Sequence, residues 1–418
     1  MSKDAFTPPS VVVPASDLLG SHLDTLAMAL REQHYAASTI RTHLREARAF
    51  GAWLTAQSSP LQDCSEQVLE RYLHIRASSS VPLHKRRRQR ITAAIHRLLE
   101  HLRRAGVVVP RPIERRPETE VQQWLAQYGA HLDHVQGLAP STRRKYLFFA
   151  TRLLETLSHQ GGMTWSALTA DSIIAFVQAD ATPRKGFGPH GTATAVRSFL
   201  RFLVAQNRLP AGLDRAIPTV RRWSHAALPQ HLSDTDINQM LQCCADATAS
   251  GTRNYAILLL LSRLGLRAKE VANLQLHDVD WVHGSLLIRA SKTHAERLLP
   301  LAQDVGEALL AYLRTGRPAT SSRHLFLAHT APYHPLHTAS AITKIVKRLL
   351  AKAGIARQSS GAHLFRHTVA TQLVNRGASF NDVADVLGHH TLQTTGLYAK
   401  LDLAALAQVA LPWPGGAP

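Results

Sequence analysis

Six side chains in the C-terminal part of this chain have the chemistry to break a phosphodiester bond without a metal: Arg267, Lys292, His363, Arg366, His389 and Tyr398. A phenol can act as a nucleophile and hold a covalent intermediate. Two guanidiniums present planar, forked donors to the charge that grows on non-bridging oxygens. Imidazoles and an ammonium can move protons to and from the reacting oxygens. Four of the six sit on short helical spacings, in His363-Leu364-Phe365-Arg366-His367, Leu387-Gly388-His389-His390 and Thr394-Thr395-Gly396-Leu397-Tyr398. Upstream lies Gly265-Leu266-Arg267-Ala268-Lys269-Glu270, with Lys292 between the two blocks.

No single member of the set is diagnostic. A tyrosine on an amphipathic helix is ordinarily a core residue, and a His-x-x-Arg pair is common by chance. His363 and Arg366 do share a helix face, whereas His367 points partly away and reads as a packing or hydrogen-bonding histidine. Arg267, directly after an apolar helix and next to Glu270, also fits a structural ion pair, with Glu270 orienting Arg267 rather than reacting. Lys292 on a hairpin turn is ordinarily solvated charge, and gains a role only if that turn reaches a DNA groove. Gly388 can end a helix in a left-handed turn and aim His389 outward. Thr391 can cap the next short helix, which carries Tyr398.

The elements that must position these groups belong to a chain of 418 residues, room for roughly two or three domains. At 45% hydrophobic residues it can build cores and is not a disordered protein. Lys+Arg exceed Asp+Glu by 48 − 29 = 19, and the pI is near 10.5, a balance that points to a polyanionic partner. Only Cys64, Cys243 and Cys244 occur, with no zinc-type spacing, which fits a reduced cytoplasm and no metal site. The longest apolar run, 256–261, is far too short for a membrane span and reads as a buried helix, so a membrane role is not expected.

The first two-thirds reads as helical and duplicated. His22-Leu23-Asp24, Ser38-Thr39 and Phe50/Trp53 run parallel to His131-Leu132-Asp133, Ser141-Thr142 and Leu153/Leu157. In each copy the Ser-Thr pair is expected to cap a helix. Ala94-Ile95, Leu98-Leu99 and Leu102 match Ala195-Val196, Phe199-Leu200 and Leu203 as one apolar helix face. The expected order is a flexible N-terminus at 1–20, an additional helical DNA-binding-like domain at 21–112 and a second helical domain at 116–212. A linker at 213–229, a larger domain at 230–410 and a tail at 411–418 follow. Ser233-Asp234-Thr235-Asp236 caps the larger domain's first helix. Within it, 285–289 and 297–301 predict a β-hairpin with Lys292 at the mouth of its turn. The basic groups Lys85, Arg86, Arg87, Arg88 and Arg90, and Arg143, Arg144 and Lys145, are the best candidate DNA-binding patches.

In order, Arg267, Lys292, His363, Arg366, His389 and Tyr398 resemble the signature of the tyrosine recombinase family, the phage-integrase and Xer-type enzymes. The resemblance covers 230–410 and is plainest in Leu364-Phe365-Arg366-His367-Thr368-Val369-Ala370-Thr371 and Leu387-Gly388-His389. Phe365 and Gly396 depart from it, standing where a leucine and a longer side chain are expected. It implies a mainly α fold with a small β-hairpin or sheet in the catalytic domain, preceded by helical SAM-like core-binding domains. Residues 116–212 resemble the core-binding domain, which closes a clamp over the opposite face of DNA; the copy at 21–112 is extra to the minimal architecture.

The activity implied by the resemblance is site-specific recombination by the integrase or transposase of a mobile element, in the cytoplasm, with no metal, ATP or other cofactor. Tyr398 would attack the scissile phosphate, form a 3′-phosphotyrosyl bond and free a 5′-hydroxyl. Arg267 and Arg366 would hold the phosphate oxygens, with His363 and His389 adding hydrogen bonds. His363 is the candidate to take the tyrosine proton, and Lys292 to protonate the leaving oxygen. Glu270 and His367 keep supporting roles. The implied partners are double-stranded recombination sites and copies of this chain, from dimer to tetrameric synapse, with partner recombinases or DNA-bending proteins as further candidates. A helix at 401–410 is the element that would dock on a neighbouring protomer, unless it packs back on its own domain. Two other readings compete: a non-cleaving architectural protein that keeps the fold, and a type IB topoisomerase-like enzyme. The intact residue set argues against the first, and the tandem helical domains against the second.

Overall fold

The structure is a computed structural model that describes residues 19–77, 84–108, 119–158, 165–180, 189–217, 230–246, 248–289, 296–356, 361–388 and 395. Lys292, His389 and Tyr398 lie outside the described residues, as do Thr391, the proline boundary at 110–112, most of the expected linker, and the expected helix at 401–410. The chain divides into two compact units, one formed by 1–109 with 227–418 and the other by 110–226.

The first unit opens with four helices, α1 (Gly20–Glu32), α2 (Ala37–Ala56), α3 (Glu66–Ala77) and α4 (Lys85–Arg104). Their core draws Leu23, Leu26 and Leu30 from α1, Phe50 and Leu54 from α2, and Ile91, Ile95, Leu98 and Leu102 from α4. Those α4 positions recur every three or four residues, so one stripe of the helix is buried while its flanks stay basic. Leu19 is also buried, its side chain against Gly51.

The other unit repeats this order with α5 (Glu120–Ala130), α6 (Pro140–Ser158), α7 (Ala170–Asp180) and α8 (Pro189–Ala205). In both sets a single 3₁₀ turn, Leu61–Asp63 or Trp165–Ala167, precedes the third helix. The apolar stripe of α4 reappears in α8, where Ala195, Val196, Phe199, Leu200 and Leu203 are all buried. Burying each such leucine stabilises the fold by about 1.5–3 kcal/mol.

Three details differ from what the sequence predicts. The Ser-Thr pairs do not cap: α2 starts from an extended Ala36 without a side-chain cap, and Ser38 already lies in its first turn. α6 starts at Pro140, whose missing N–H removes one of the donors a cap would satisfy. Nor are the His-Leu-Asp triplets equivalent, since His22 lies in α1 while His131 lies in a π-type turn beyond α5. In addition, 213–217 does not behave as linker. Ile217 is buried in the second unit's core, Arg197 donates to the carbonyls of Asp214 and Ile217, and Arg201 pairs with the Asp214 carboxylate.

The C-terminal part of the first unit begins with α9 (Asp234–Gln242), closed by reciprocal bonds between Ser233 and Asp236. α10 (Ala249–Leu264) is buried on nearly every side, the condition under which a helix can be apolar all round. It packs against α12 (Gln303–Ala311) and α14 (His363–Asn375), while α11 (Ala268–Asn273) packs against α13 (Ala339–Lys352). Three antiparallel strands follow α11: β1 (Val279–Asp280), β2 (Ser285–Ile288) and β3 (Arg297–Pro300). The predicted hairpin is present, with Ser285 opposite Pro300 and Ile288 opposite Arg297, while β1 was not foreseen. Finally, α15 (Phe380–Leu387) lies against α14 through Val369, Val374, Val383 and Leu387. Among the described residues the fold is thus mainly helical with one small sheet, as expected from the sequence. No helix among the described residues is long and apolar enough to cross a membrane.

Candidate active site

Two glycine-terminated helices meet at the centre of the site. Gly265 ends α10 and Gly388 ends α15, both left-handed, at φ 59° and 63°. Neither position accepts a larger residue easily. A Cβ on Gly265 would come within 2.7 Å of a Leu387 methyl, and one on Gly388 within 2.8 Å of an Arg297 nitrogen. The free carbonyls at such helix ends carry partial negative charge and attract cations.

Two arginines answer that charge. Arg366, on α14 and only 4% exposed, donates to the carbonyl oxygens of Gly265, at 3.0 Å, and Leu387, and so bridges both helix ends. Arg267, extended at the start of α11, donates to the Gly388 oxygen at 3.0 Å and more weakly to that of Leu387 at 3.4 Å. Both guanidiniums therefore gather on the turn immediately before His389 in sequence.

Glu270 lies behind Arg267. Its Oε2 accepts the Arg267 backbone N–H at 2.8 Å, and its Oε1 accepts Arg267 Nη1 at 2.9 Å. Arg297, the first residue of β3, grips both oxygens from the other side, Nη1 to Oε1 at 3.1 Å and Nη2 to Oε2 at 3.0 Å. Burial alone would raise the Glu270 carboxyl, but Arg297 and then Arg267 outweigh it and hold it below its ordinary value. A buried carboxylate between two arginines is kept charged, at the cost of fixing all three side chains.

His363 opens α14 one turn before Arg366, and its ring centroid lies 6.4 Å from that of His367. His363 reaches solvent, yet the protein packed round it, then the charges of Arg366 and Arg267, hold its pKa below the usual histidine value. Half-buried His367 is lowered by burial and then by His363 and Arg366. Both shifts favour the neutral imidazole over the charged one.

The structure thus brings Arg267, Glu270, His363, Arg366 and His367 together. The candidate DNA-binding groups stand elsewhere. Lys85, Arg86, Arg87, Arg88 and Arg90 are exposed on the opening turns of α4. On α6, Arg144 and Lys145 are exposed, while Arg143 is half-buried and pairs with Asp133. Two arginines were missed, Arg297 and Arg289. Arg289 follows β2 and donates to the buried Asp278 at 2.7 Å, so each leg of the hairpin is tied to a buried carboxylate. The sequence shows an arginine beside each of two short apolar strands, but nothing local to either says which acid it meets.

Comparison with known proteins finds relatives of this chain among recombinases. Residues 230–404 match the profile described as the phage integrase family. A Sinorhizobium fredii protein that carries an integrase/recombinase name, y4rA, is 33% identical over 389 residues, covering 93% of each chain. Tyrosine recombinase XerD of Lacticaseibacillus casei is 28% identical over 68% of this chain and 96% of its own. Among solved structures, the XerH site-specific recombinase, in a post-cleavage complex with palindromic difH substrate, shares the fold. It aligns at a TM-score of 0.54 and 20% identity, over 70% of this chain and 88% of that one.

Proposed function

This chain belongs to the phage integrase family and is a site-specific tyrosine recombinase, and on that footing we propose that Tyr398 is its nucleophile and that Arg267 and Arg366 cradle the scissile phosphate. The observation that carries the proposal is the convergence of both guanidiniums on the Leu387–Gly388 turn. His389 is the next residue, and Tyr398 follows nine positions on. Arg267 and Arg366 stabilise the charge of the pentacoordinate transition state. Neutral His363 accepts the phenolic proton as Tyr398 attacks phosphorus, and His389 donates a hydrogen bond to a phosphate oxygen. Lys292 protonates the departing 5′-oxygen. The phosphotyrosyl bond keeps the energy of the broken linkage, so a second 5′-hydroxyl can reverse the step without ATP.

The substrate is double-stranded DNA, gripped through phosphates by the opening turns of α4 and α6. Both helices place cations where the helix dipole disfavours them, and neither has an acidic residue in its first turn. That placement is accounted for by a polyanion that lies against the helix ends. Exchange between two duplexes requires paired protomers and thus a tetrameric synapse, in the integration or transposition of a mobile element. The test is a duplex nicked beside the cleavage site, which loses its short fragment after attack. Wild-type protein is expected to accumulate covalent product and Tyr398→Phe none; trapping retained by the variant would overturn the assignment.

A further inference from the structure

In the proposed reaction the Arg267 guanidinium meets the phosphate, and the groups behind it set its position. Arg267 contacts Glu270 through both its backbone N–H and its side chain, so the position of the Glu270 carboxylate fixes that of Arg267. That carboxylate is only 10% exposed and is held on both oxygens by the fork of Arg297, itself 11% exposed. A planar guanidinium across two carboxylate oxygens leaves one orientation, which a single point charge would not.

Arg297 also closes the other side of the cradle. Its Nη1, Cζ and Cδ line the space where a Cβ on Gly388 would stand, at 2.8, 3.2 and 3.5 Å. One side chain therefore limits both the acid behind Arg267 and the turn whose carbonyl Arg267 grips. Its Nε is buried with no partner among the described residues, so its hold rests on the two Nη groups and on packing. Arg297 also begins the strand that follows Lys292 in the sequence.

We propose that Arg297 is a positioning residue for strand cleavage: through Glu270 and Gly388 it fixes the Arg267 guanidinium against the Leu387–Gly388 turn without touching the phosphate itself. The proposal rests on the role given above to Arg267. It differs from a general role in bracing the hairpin, because Arg289 braces the other leg through Asp278 and does not reach Glu270.

Single-turnover cleavage of the nicked duplex by the full chain tests this, with the rate at saturating DNA and the half-saturating DNA concentration read separately. Arg297→Gln is expected to lower the saturated rate about tenfold to a hundredfold, with half-saturation nearly unchanged. Arg289→Gln should stay within about threefold of wild type. Glu270→Gln combined with Arg297→Gln should be no slower than the slower single variant, because both act through one carboxylate. Arg297→Lys, which keeps the charge and loses the fork, should not restore the rate, and it supplies the comparison if the glutamine variant does not fold. A wild-type rate in either Arg297 variant, an equal loss in Arg289→Gln, multiplied losses in the double variant, or a loss entirely in half-saturation would each overturn the proposal. If wild-type protein itself traps no covalent product, it is the parent reading that fails.

Discussion

Arg366 is nearly buried and Arg267 largely so, and both donate to the same turn, so the site depends on backbone geometry as much as on charge. Gly388 is where that dependence is sharpest. Gly388→Ala would place a methyl in a left-handed backbone and against Arg297. A cost of about 1–3 kcal/mol in thermal or denaturant unfolding is expected, with a larger loss of cleavage than the stability change explains. A second expectation concerns pH. His363 and His367 are held below the ordinary histidine value of 6.5, by burial first and then by neighbouring positive charge. Between their depressed values and 6.5 the unfolded chain binds more protons than the folded one, so stability falls as pH drops through that window. The cleavage rate should likewise decline only below pH 6.5, as His363 takes up its proton, and His363→Gln should flatten that limb. An acid limb lying above 6.5 would contradict a neutral His363.

At the scale of elements, the basic opening of α4 sets stability against binding. Five cations stand in its first turns with no acid to offset them. Replacing Arg86, Arg87 and Arg88 by glutamine should raise thermal stability modestly, by about 0.3–1 kcal/mol per charge. The slope of log affinity against log salt should become shallower by about 0.9 for each phosphate that the protein no longer neutralises. An unchanged slope would remove α4 from the DNA interface. Much of this level was legible in the sequence. The stripe Ile91–Leu102 and its echo in α8, the capped start of α9 and the two strands of the hairpin all follow from periodicity and local turn chemistry. What was not legible depended on pairings between distant segments. Arg297 meets Glu270 across 27 positions and Arg366 meets Gly265 across 101, and neither pairing leaves a periodic trace. The Ser-Thr pairs misled because Ser, Thr and Pro are all common in a first helical turn, so the local signal did not fix which residue was the cap.

At the scale of the whole molecule, α1–α4 form a unit with the domain that carries the candidate site, and His34 stacks on Tyr333 between them with ring centroids 5.7 Å apart. The core built from α9 to α14 is closed on itself. Removing residues 1–112 is therefore expected to leave a cooperatively folding protein that cleaves but protects a shorter stretch of DNA, with lower affinity for the full site. A footprint of unchanged length would deny the first four helices a DNA role. The net charge of +19 makes any such comparison meaningful only at matched salt.

The most direct test is where the DNA becomes attached. After trapping on the nicked duplex, nuclease and protease digestion followed by mass spectrometry should find the residual nucleotide on the peptide that contains Tyr398, joined through its 3′-phosphate. A nucleotide carried by any other residue, or joined through a 5′-phosphate, would contradict Tyr398 as the nucleophile.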